Sequence, residues 1–215
     1  MIAKSTYLLR VSLLKVEPEI WRRFYVPASI PLDMLHDVIQ IVMGWNDRHL
    51  HEFVFENKCY SVPDPEYDQQ LEIEIIDSAK TRLKKLLTEN GSSLLYKYDF
   101  GDNWAHEVTL ENGSYKIDHE IRREYGHYVP PVLCLAGARA CPPEDVGGTS
   151  GYEDFLKIIK DRRHEEYRMK RQWARYHLTP YQEGNHDPEK FDLELINHEI
   201  LKYLNWMRPR LLRMT

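Results

Sequence analysis

The segment between Pro31 and Gly44 constrains the fold most strongly, because its apolar residues recur with the period of a helix rather than a strand. The residues that share this apolar face are Leu32, Leu35, Val38, Ile39, Val42 and Met43. This spacing predicts an amphipathic helix that buries one face, and Gly44 stands where a helix C-terminus favours a left-handed residue. A helix of this kind needs a second layer to cover its apolar face.

The segments on both sides of this helix alternate in the manner of β-strands. Residues 7–14 and 20–26 are rich in strand-forming side chains and are separated by a short turn, which predicts a hairpin. Residues 49–56 return to the same alternation after the helix. The period therefore predicts strand, strand, helix, strand in the first quarter of the chain.

A second hairpin is predicted between residues 94–100 and 104–110. Gly101-Asp102 suits a two-residue turn because glycine takes the first central position. With that turn, four side chains share one face, with Asp99 opposite Trp104 and Lys97 opposite His106.

Helical patterns dominate the last third of the chain, at residues 152–160, 164–176 and 191–204. We therefore expect an α+β fold, a mainly antiparallel sheet with a packed helix and additional C-terminal helices. Residues 1–161 are expected to form the α+β core. Residues 162–215 are expected to be a C-terminal helical extension that packs on this core as part of the same domain.

The composition narrows the class of protein. With 42% hydrophobic and 29% charged residues, the chain has the composition of a folded soluble globule, and no apolar run approaches the roughly 20 residues that cross a bilayer. The N-terminus carries no apolar signal core, and three cysteines without a CxxC pair are a poor disulfide framework. We expect a cytoplasmic protein without a membrane partner; nothing in the sequence indicates its oligomeric state.

Five motifs in a fixed order carry a family resemblance. They are Pro18–Arg23 (PEIWRR), Leu35-His36, Gly44–Phe53 (GWNDRHLHEF), Tyr98–His106 (YDFGDNWAH), and Cys141–Gly148 (CPPEDVGG) with Gly151-Tyr152. Between about residue 5 and about residue 200, the chain resembles the plasmid pRiA4b ORF-3-like family.

This resemblance implies a prokaryotic α+β domain that occurs in mobile-element contexts, but it implies no activity. Some family members are labelled resolvase-like. A serine recombinase needs an activated serine among arginines and a DNA-reading helix-turn-helix, and we place neither in this chain. The chain departs from the family pattern at Val146, where cysteine is common; if that cysteine ligates a metal in other members, this chain lacks that ligand.

Histidines and carboxylates in these motifs are the candidate metal and catalytic residues. His49 and His51, two apart on a predicted strand, point the same way and would ligate a metal such as zinc or manganese. Either His106 with Asp99, or Cys134 with Cys141, would complete the site. Asp99, His106, Glu144 and Asp145 are the groups that a hydrolase would use for acid–base chemistry. The alternative is structural: histidines hydrogen-bonded inside an aromatic cluster, and aspartates that serve turns.

A second set of residues suits anionic ligands. Arg22 and Arg23 lie on opposite faces of a predicted strand, so one of them can pair with Glu144 or Asp145 or hold an anion. Gly147 and Gly148 precede a helix and can present backbone N–H groups. Close backbone packing and an internal salt bridge are the ordinary alternatives.

The formal charge of −5 excludes a global positive field that would attract nucleic acid, so any such binding must be local. The basic segment 162–177 offers one candidate surface through Arg168, Lys170 and Arg171, with aromatic residues interleaved. The alternative is a solvated helix that packs through its aromatic residues.

Two functions are therefore carried forward. A non-catalytic binding module in a mobile-element or nucleic-acid context is favoured, because no complete catalytic constellation is evident. The alternative is a metal-dependent hydrolase that uses His49, His51, Asp99 and His106, with Glu144 or Asp145 as general base.

Overall fold

A computed structural model describes residues 5–64, 74–177 and 185–212. In these ranges eight strands form one sheet: β1 (Thr6–Leu13), β2 (Ile20–Pro27), β3 (His51–Phe55), β4 (Lys58–Ser61), β5 (Ile75–Asp77), β6 (Ser93–Tyr98), β7 (Trp104–Asn112) and β8 (Leu133–Ala138). The helices are α1 (Leu32–Met43), α2 (His119–Tyr125), α3 (Gly148–Lys160), α4 (Tyr167–Tyr176) and α5 (Leu193–Leu212).

The strand order is β5-β4-β3-β6-β7-β1-β2-β8. Every neighbouring pair is antiparallel except β4 and β5, which are parallel. The sheet and its helices confirm the α+β class and the mainly antiparallel pairing. The first predicted hairpin is also confirmed, since β1 pairs with β2 in a continuous register from Thr6↔Pro27 to Leu13↔Ile20.

Helix α1 has the predicted bounds and the predicted buried face. All six residues of its apolar stripe are buried, in the same core as Leu9, Val11 and Phe24 of the first hairpin. Gly44 ends the helix with φ of 94°, and its N–H donates to the Gln40 carbonyl at 2.8 Å. The backbone that follows Gly44 leads directly into the histidine-bearing loop.

The register of the second hairpin differs from the prediction. Tyr98 lies opposite Trp104 and Tyr96 opposite His106, so the connection has five residues, 99–103. The physical reason is that Asp99 leaves the strand with φ of 56°, and its Oδ1 accepts the N–H groups of Gly101 and Asp102. Because a one-residue slip reverses the faces of a strand, the two tyrosines face the core and Lys97 pairs with Glu52 on the other face.

Helix α5 covers the edge of the sheet at β8 and contacts α1. The Asn197 side chain accepts from the Cys134 N–H at 2.9 Å and donates to the Cys134 carbonyl at 3.0 Å. The Tyr203 hydroxyl donates to Asp37 of α1 at 2.7 Å. Among the described helices, none is long and apolar enough to cross a membrane.

Candidate metal centre

Three carboxylates surround the His49 imidazole. From His49 Nε2, the nearest carboxylate oxygen lies at 3.6 Å in Asp99, 3.6 Å in Glu144 and 3.2 Å in Asp145. Within the described part of the chain this nitrogen makes no hydrogen bond, although it is buried. These four residues are referred to below as the His49 centre.

The spacing of these atoms matches that of ligands around one cation. Nitrogen and oxygen ligands lie about 2.0–2.2 Å from zinc, so neighbouring ligand atoms stand about 3.0–3.6 Å apart in octahedral or tetrahedral geometry. Ligand atoms of His49, Asp99 and Glu144 all lie within 4.8 Å of one another. One ion can therefore contact all of them after small side-chain movements.

Glu144 is anchored mainly through one oxygen. Its Oε1 accepts the Asn46 N–H at 2.8 Å and the Tyr98 hydroxyl at 3.1 Å, while Oε2, at 3.4 Å from the same hydroxyl, faces His49. The Tyr98 hydroxyl also accepts the Arg48 N–H at 2.9 Å. These contacts tie the carboxylate to the loop that carries His49, so the two groups are oriented together.

Asp99 repeats this arrangement from the β6–β7 loop. Its Oδ1 is held by the turn of the β6–β7 loop, and its Oδ2 faces His49. The left-handed backbone of Asp99 is uncommon for a residue with a side chain, and Asp145 shares it with φ of 58°. Such conformations concentrate at functional sites because the surrounding structure must hold them.

Asp145 links the centre to a histidine that the sequence did not single out. Its Oδ1 faces His49 and its Oδ2 lies 3.5 Å from Nδ1 of His177, just after α4. The His177 ring stacks on Trp173 with centroids 4.4 Å apart. No periodic or spacing signal ties residue 177 to residues 49 and 145, so only the fold reveals the contact.

The centre is unbalanced in charge and open on one side. Glu144 is 0% exposed and burial raises the pKa of its carboxyl, while Asp145 is 47% exposed. Three carboxyl groups around one imidazole repel one another unless a proton or a cation compensates them. The Asp145 side is the one that solvent reaches.

A loop-to-loop contact holds the carboxylates at this spacing. Asp102 Oδ2 accepts the Gly147 N–H at 3.1 Å. A Cβ on Gly148 would lie 2.6 Å from the Asp102 carbonyl oxygen, so only glycine permits this approach. The β6–β7 loop and the residues before α3 therefore act as one unit, and the anion bound by Gly147 is a side chain of the same protein.

A second histidine cluster lies nearby, in which the hydrogen bonds of His36 are satisfied internally, whereas the buried Nε2 of His51 makes none among the described residues. Gln40 Nε2 donates to the Tyr96 hydroxyl at 2.8 Å, and this hydroxyl is hydrogen-bonded to His36 Nδ1 at 2.8 Å. His36 Nε2 is hydrogen-bonded to the Asp47 carboxylate at 2.9 Å, and the Asp47 N–H donates to Gln40 Oε1 at 2.9 Å, which closes the circuit. Since carboxylates only accept, His36 carries its proton on Nε2. We call this closed circuit the His36 ring. His51 stacks on His36 at 3.4 Å, and burial lowers its pKa to about 3.

The structure separates the three histidines predicted to share a metal. His49 lies before β3 and belongs to the His49 centre, while His51 begins β3 and contacts the His36 ring. His36, Asp47 and His51 are themselves close enough to hold an ion, but an ion there would break the ring. His106 is buried on β7, 3.4 Å from the Tyr96 carbonyl, and burial lowers its pKa to about 4.

The two arginines lie on opposite faces, but neither pairs with Glu144 or Asp145 among the described contacts. Arg22 is 2% exposed and donates to four backbone carbonyls, those of Trp21, Val42, Ala138 and Arg139. Arg23 forms a two-pronged pair with Glu111 at 2.7 and 2.9 Å. Both guanidinium groups therefore have structural partners.

Only part of the predicted basic surface forms one site. Arg168 is exposed, and Arg171 donates to the His186 carbonyl at 2.9 Å. Both line a groove of about 680 Å³ on α4. Lys170 lies elsewhere on the helix, with its ammonium 5.7 Å from the Trp173 ring centroid.

Comparisons with known proteins place this architecture among relatives. The family described as plasmid pRiA4b ORF-3-like protein matches residues 5–195. The uncharacterised protein y4hQ of Sinorhizobium fredii strain NGR234 is 35% identical over 171 residues, which is 79% of this chain and 81% of that protein. The crystal structure of MM3350 from Methanosarcina mazei Go1, a protein of unknown function, is 34% identical with a TM-score of 0.70, covering 89% of this chain and 97% of that one.

Proposed function

We propose that this chain, which belongs to the plasmid pRiA4b ORF-3-like protein family, is a metal-dependent hydrolase. The proposal rests on the geometry of the site, because the matched relatives are described as uncharacterised or of unknown function. The metal site is the His49 centre. The observation that carries the proposal is the unpartnered His49 Nε2 with three carboxylate oxygens at 3.2–3.6 Å.

The donor set indicates the class of metal. One imidazole nitrogen with several carboxylate oxygens suits borderline and hard divalent cations, of which manganese and zinc are the two we favour. Each of Asp99 and Glu144 has one oxygen held by the protein and one directed at His49. Preorganised ligands of this kind lose little conformational freedom when the ion binds.

The open side supports hydrolysis over purely structural binding. Structural zinc sites are closed by protein ligands, whereas catalytic sites keep a position for water. Glu144 is fully buried while Asp145 faces solvent. A metal held here would supply a water of lowered pKa, and Asp145, whose second oxygen lies 3.5 Å from His177, would accept the proton from that water.

The first test is metal binding by tag-free protein that has been stripped with a chelator. Isothermal titration with Mn²⁺ and Zn²⁺ should give one site per chain, and His49→Ala should weaken it by more than about 100-fold, since even outer-shell partners change affinity 10- to 100-fold. His119→Ala is the matched control, because His119 is exposed on α2. Unchanged affinity in His49→Ala would refute the site.

The second test separates binding from chemistry. The metal-loaded protein should hydrolyse an activated ester or phosphodiester, such as p-nitrophenyl acetate or bis(p-nitrophenyl) phosphate. Asp145→Asn should lower kcat more than it lowers metal affinity, because Asp145 is the proposed proton acceptor and lies outside the mutually close ligand group of His49, Asp99 and Glu144. Tight metal binding with no turnover of either substrate class would leave a metal-binding protein and overturn the hydrolase.

A further inference from the structure

A cationic groove lies on α4, outside the His49 centre. Its volume is about 680 Å³, and its charged lining consists of Arg162, Arg168, Arg171 and Arg175. Two tyrosines, Tyr167 and Tyr176, and two amide side chains complete the described lining, which contains no carboxylate. Four like charges converge here in a chain whose formal net charge is −5.

The helix itself sets the spacing of the cations. Arg168, Arg171 and Arg175 follow an i, i+3, i+7 pattern, which places them on one face over about 10 Å of helix axis. Arg171 donates to the His186 carbonyl at 2.9 Å, and Arg175 Nε donates to Asn185 Oδ1 at 2.9 Å. Uncharged acceptors thus orient two guanidinium groups without neutralising them.

No ion pair within the described ranges involves any of the four arginines. Elsewhere on the molecule, surface arginines such as Arg10 and Arg23 pair with glutamates. Like charges at helical neighbour positions destabilise a helix. An external anion would remove that repulsion.

The aromatic lining narrows the class of anion. Tyr176 is 74% exposed at the end of the groove, and Tyr167 stands 5.6 Å from the Arg171 guanidinium. A positively charged groove with exposed aromatic rings is the arrangement by which proteins hold single strands, because phosphates pair with the cations and bases stack on the rings. We propose that this groove binds single-stranded nucleic acid, with phosphates on Arg168 and Arg175 and a base on Tyr176.

The groove is independent of the proposed metal site. His177, which contacts Asp145 of the His49 centre, lies just after α4 and does not line the groove. The two sites share no described residue. Nucleic-acid binding should therefore survive both metal removal and His49→Ala.

The test uses fluorescence anisotropy of a labelled 20-nucleotide oligo(dT) at low salt. The double variant Arg168→Ala/Arg175→Ala should bind at least 10-fold more weakly. The slope of log affinity against log salt concentration should fall in magnitude by about 1.4, because each of the two lost phosphate contacts contributes about 0.7 on single strands. Tyr176→Ala should weaken binding about 5- to 100-fold with the slope unchanged. Arg122→Ala/Arg123→Ala on exposed α2 removes equal charge and should bind as wild type.

Several results would overturn the proposal. These are no binding at low salt, unchanged binding in the groove double variant, or an equal loss in the α2 control. Equal affinity for duplex DNA with no effect of Tyr176→Ala would exclude stacking on single strands. Equal competition by polyglutamate or by anionic phospholipid vesicles would assign the groove to a different polyanion. Circular dichroism of each variant verifies its fold.

Discussion

Replacement of Arg22 by methionine tests how the protein tolerates a buried cation without a carboxylate partner. The guanidinium donates to four backbone carbonyls at 2.7–2.8 Å and lies 4.8 Å from the Phe191 ring centroid. These acceptors connect the end of α1, at Val42, to the β2–β8 strand pair, at Ala138. Burial lowers the pKa of Arg22, and the carbonyl dipoles substitute for a counter-ion.

The magnitude follows from the acceptors that would be left without donors. The bonds to Val42 and Arg139 are buried, while the other two are partly accessible to water. An unsatisfied buried carbonyl costs about 1–3 kcal/mol, and methionine recovers part of this loss because no charge is then buried. We expect Arg22→Met to lower the free energy of unfolding by about 3 kcal/mol, or Tm by about 6–12 °C for a chain of this size.

The assay is urea unfolding followed by tryptophan fluorescence, with the m-value compared between variants. Arg23→Met is the matched control, because the adjacent arginine makes a partly exposed pair with Glu111 that should contribute no more than about 1 kcal/mol. A loss below about 1 kcal/mol in Arg22→Met, or equal losses in the two variants, would refute the reasoning.

Three further outcomes are expected. Gly151→Ala should destabilise the protein by about 1–3 kcal/mol, as measured by urea unfolding, because its Cβ would overlap the Val146 carbonyl oxygen; wild-type stability would contradict this packing. Burial lowers the pKa of His106 to about 4, so His106 stays neutral in the fold while the unfolded chain takes up a proton below about 6.5. This residue alone should lower stability by about 3 kcal/mol between pH 6.5 and 4, in addition to the loss from His51; an NMR titration midpoint near 6.5 for His106 would exclude its contribution. Metal at 100 times its Kd should raise the free energy of unfolding by about 2.7 kcal/mol, and a thermal melt that metal leaves unchanged in wild type would contradict binding to the native state.

The sequence predicts correctly those helices and hairpins that are determined by residues close together in the chain. The α1 stripe and Gly44 define a helix with the observed bounds, and the first hairpin follows from two alternating runs. The register of the second hairpin differs by one residue because the Asp99 side chain accepts the peptide N–H groups of Gly101 and Asp102. That local bond stabilises a five-residue connection over the two-residue turn that Gly101-Asp102 suggests.

The sequence predicted the residues of the candidate site but not how they come together, for a different reason. His49, Asp99, Glu144 and Asp145 were all candidates by residue type and motif, but their convergence depends on three loops meeting at one point. The prediction that His49 and His51 share a face assumed a strand through both, whereas β3 begins at His51. No spacing in the sequence encodes the approach of His177 to Asp145, which requires α4 to be in place.

The contact between Asn197 and β8 bears on how the molecule behaves at high concentration. An outermost strand exposes unpaired peptide groups to which another chain can add, a common route to aggregation. The Asn197 amide presents one acceptor and one donor to the Cys134 peptide, as the backbone of a ninth strand would. At this position the sheet is therefore terminated by a side chain, and a neighbouring molecule that would extend the sheet must first displace α5.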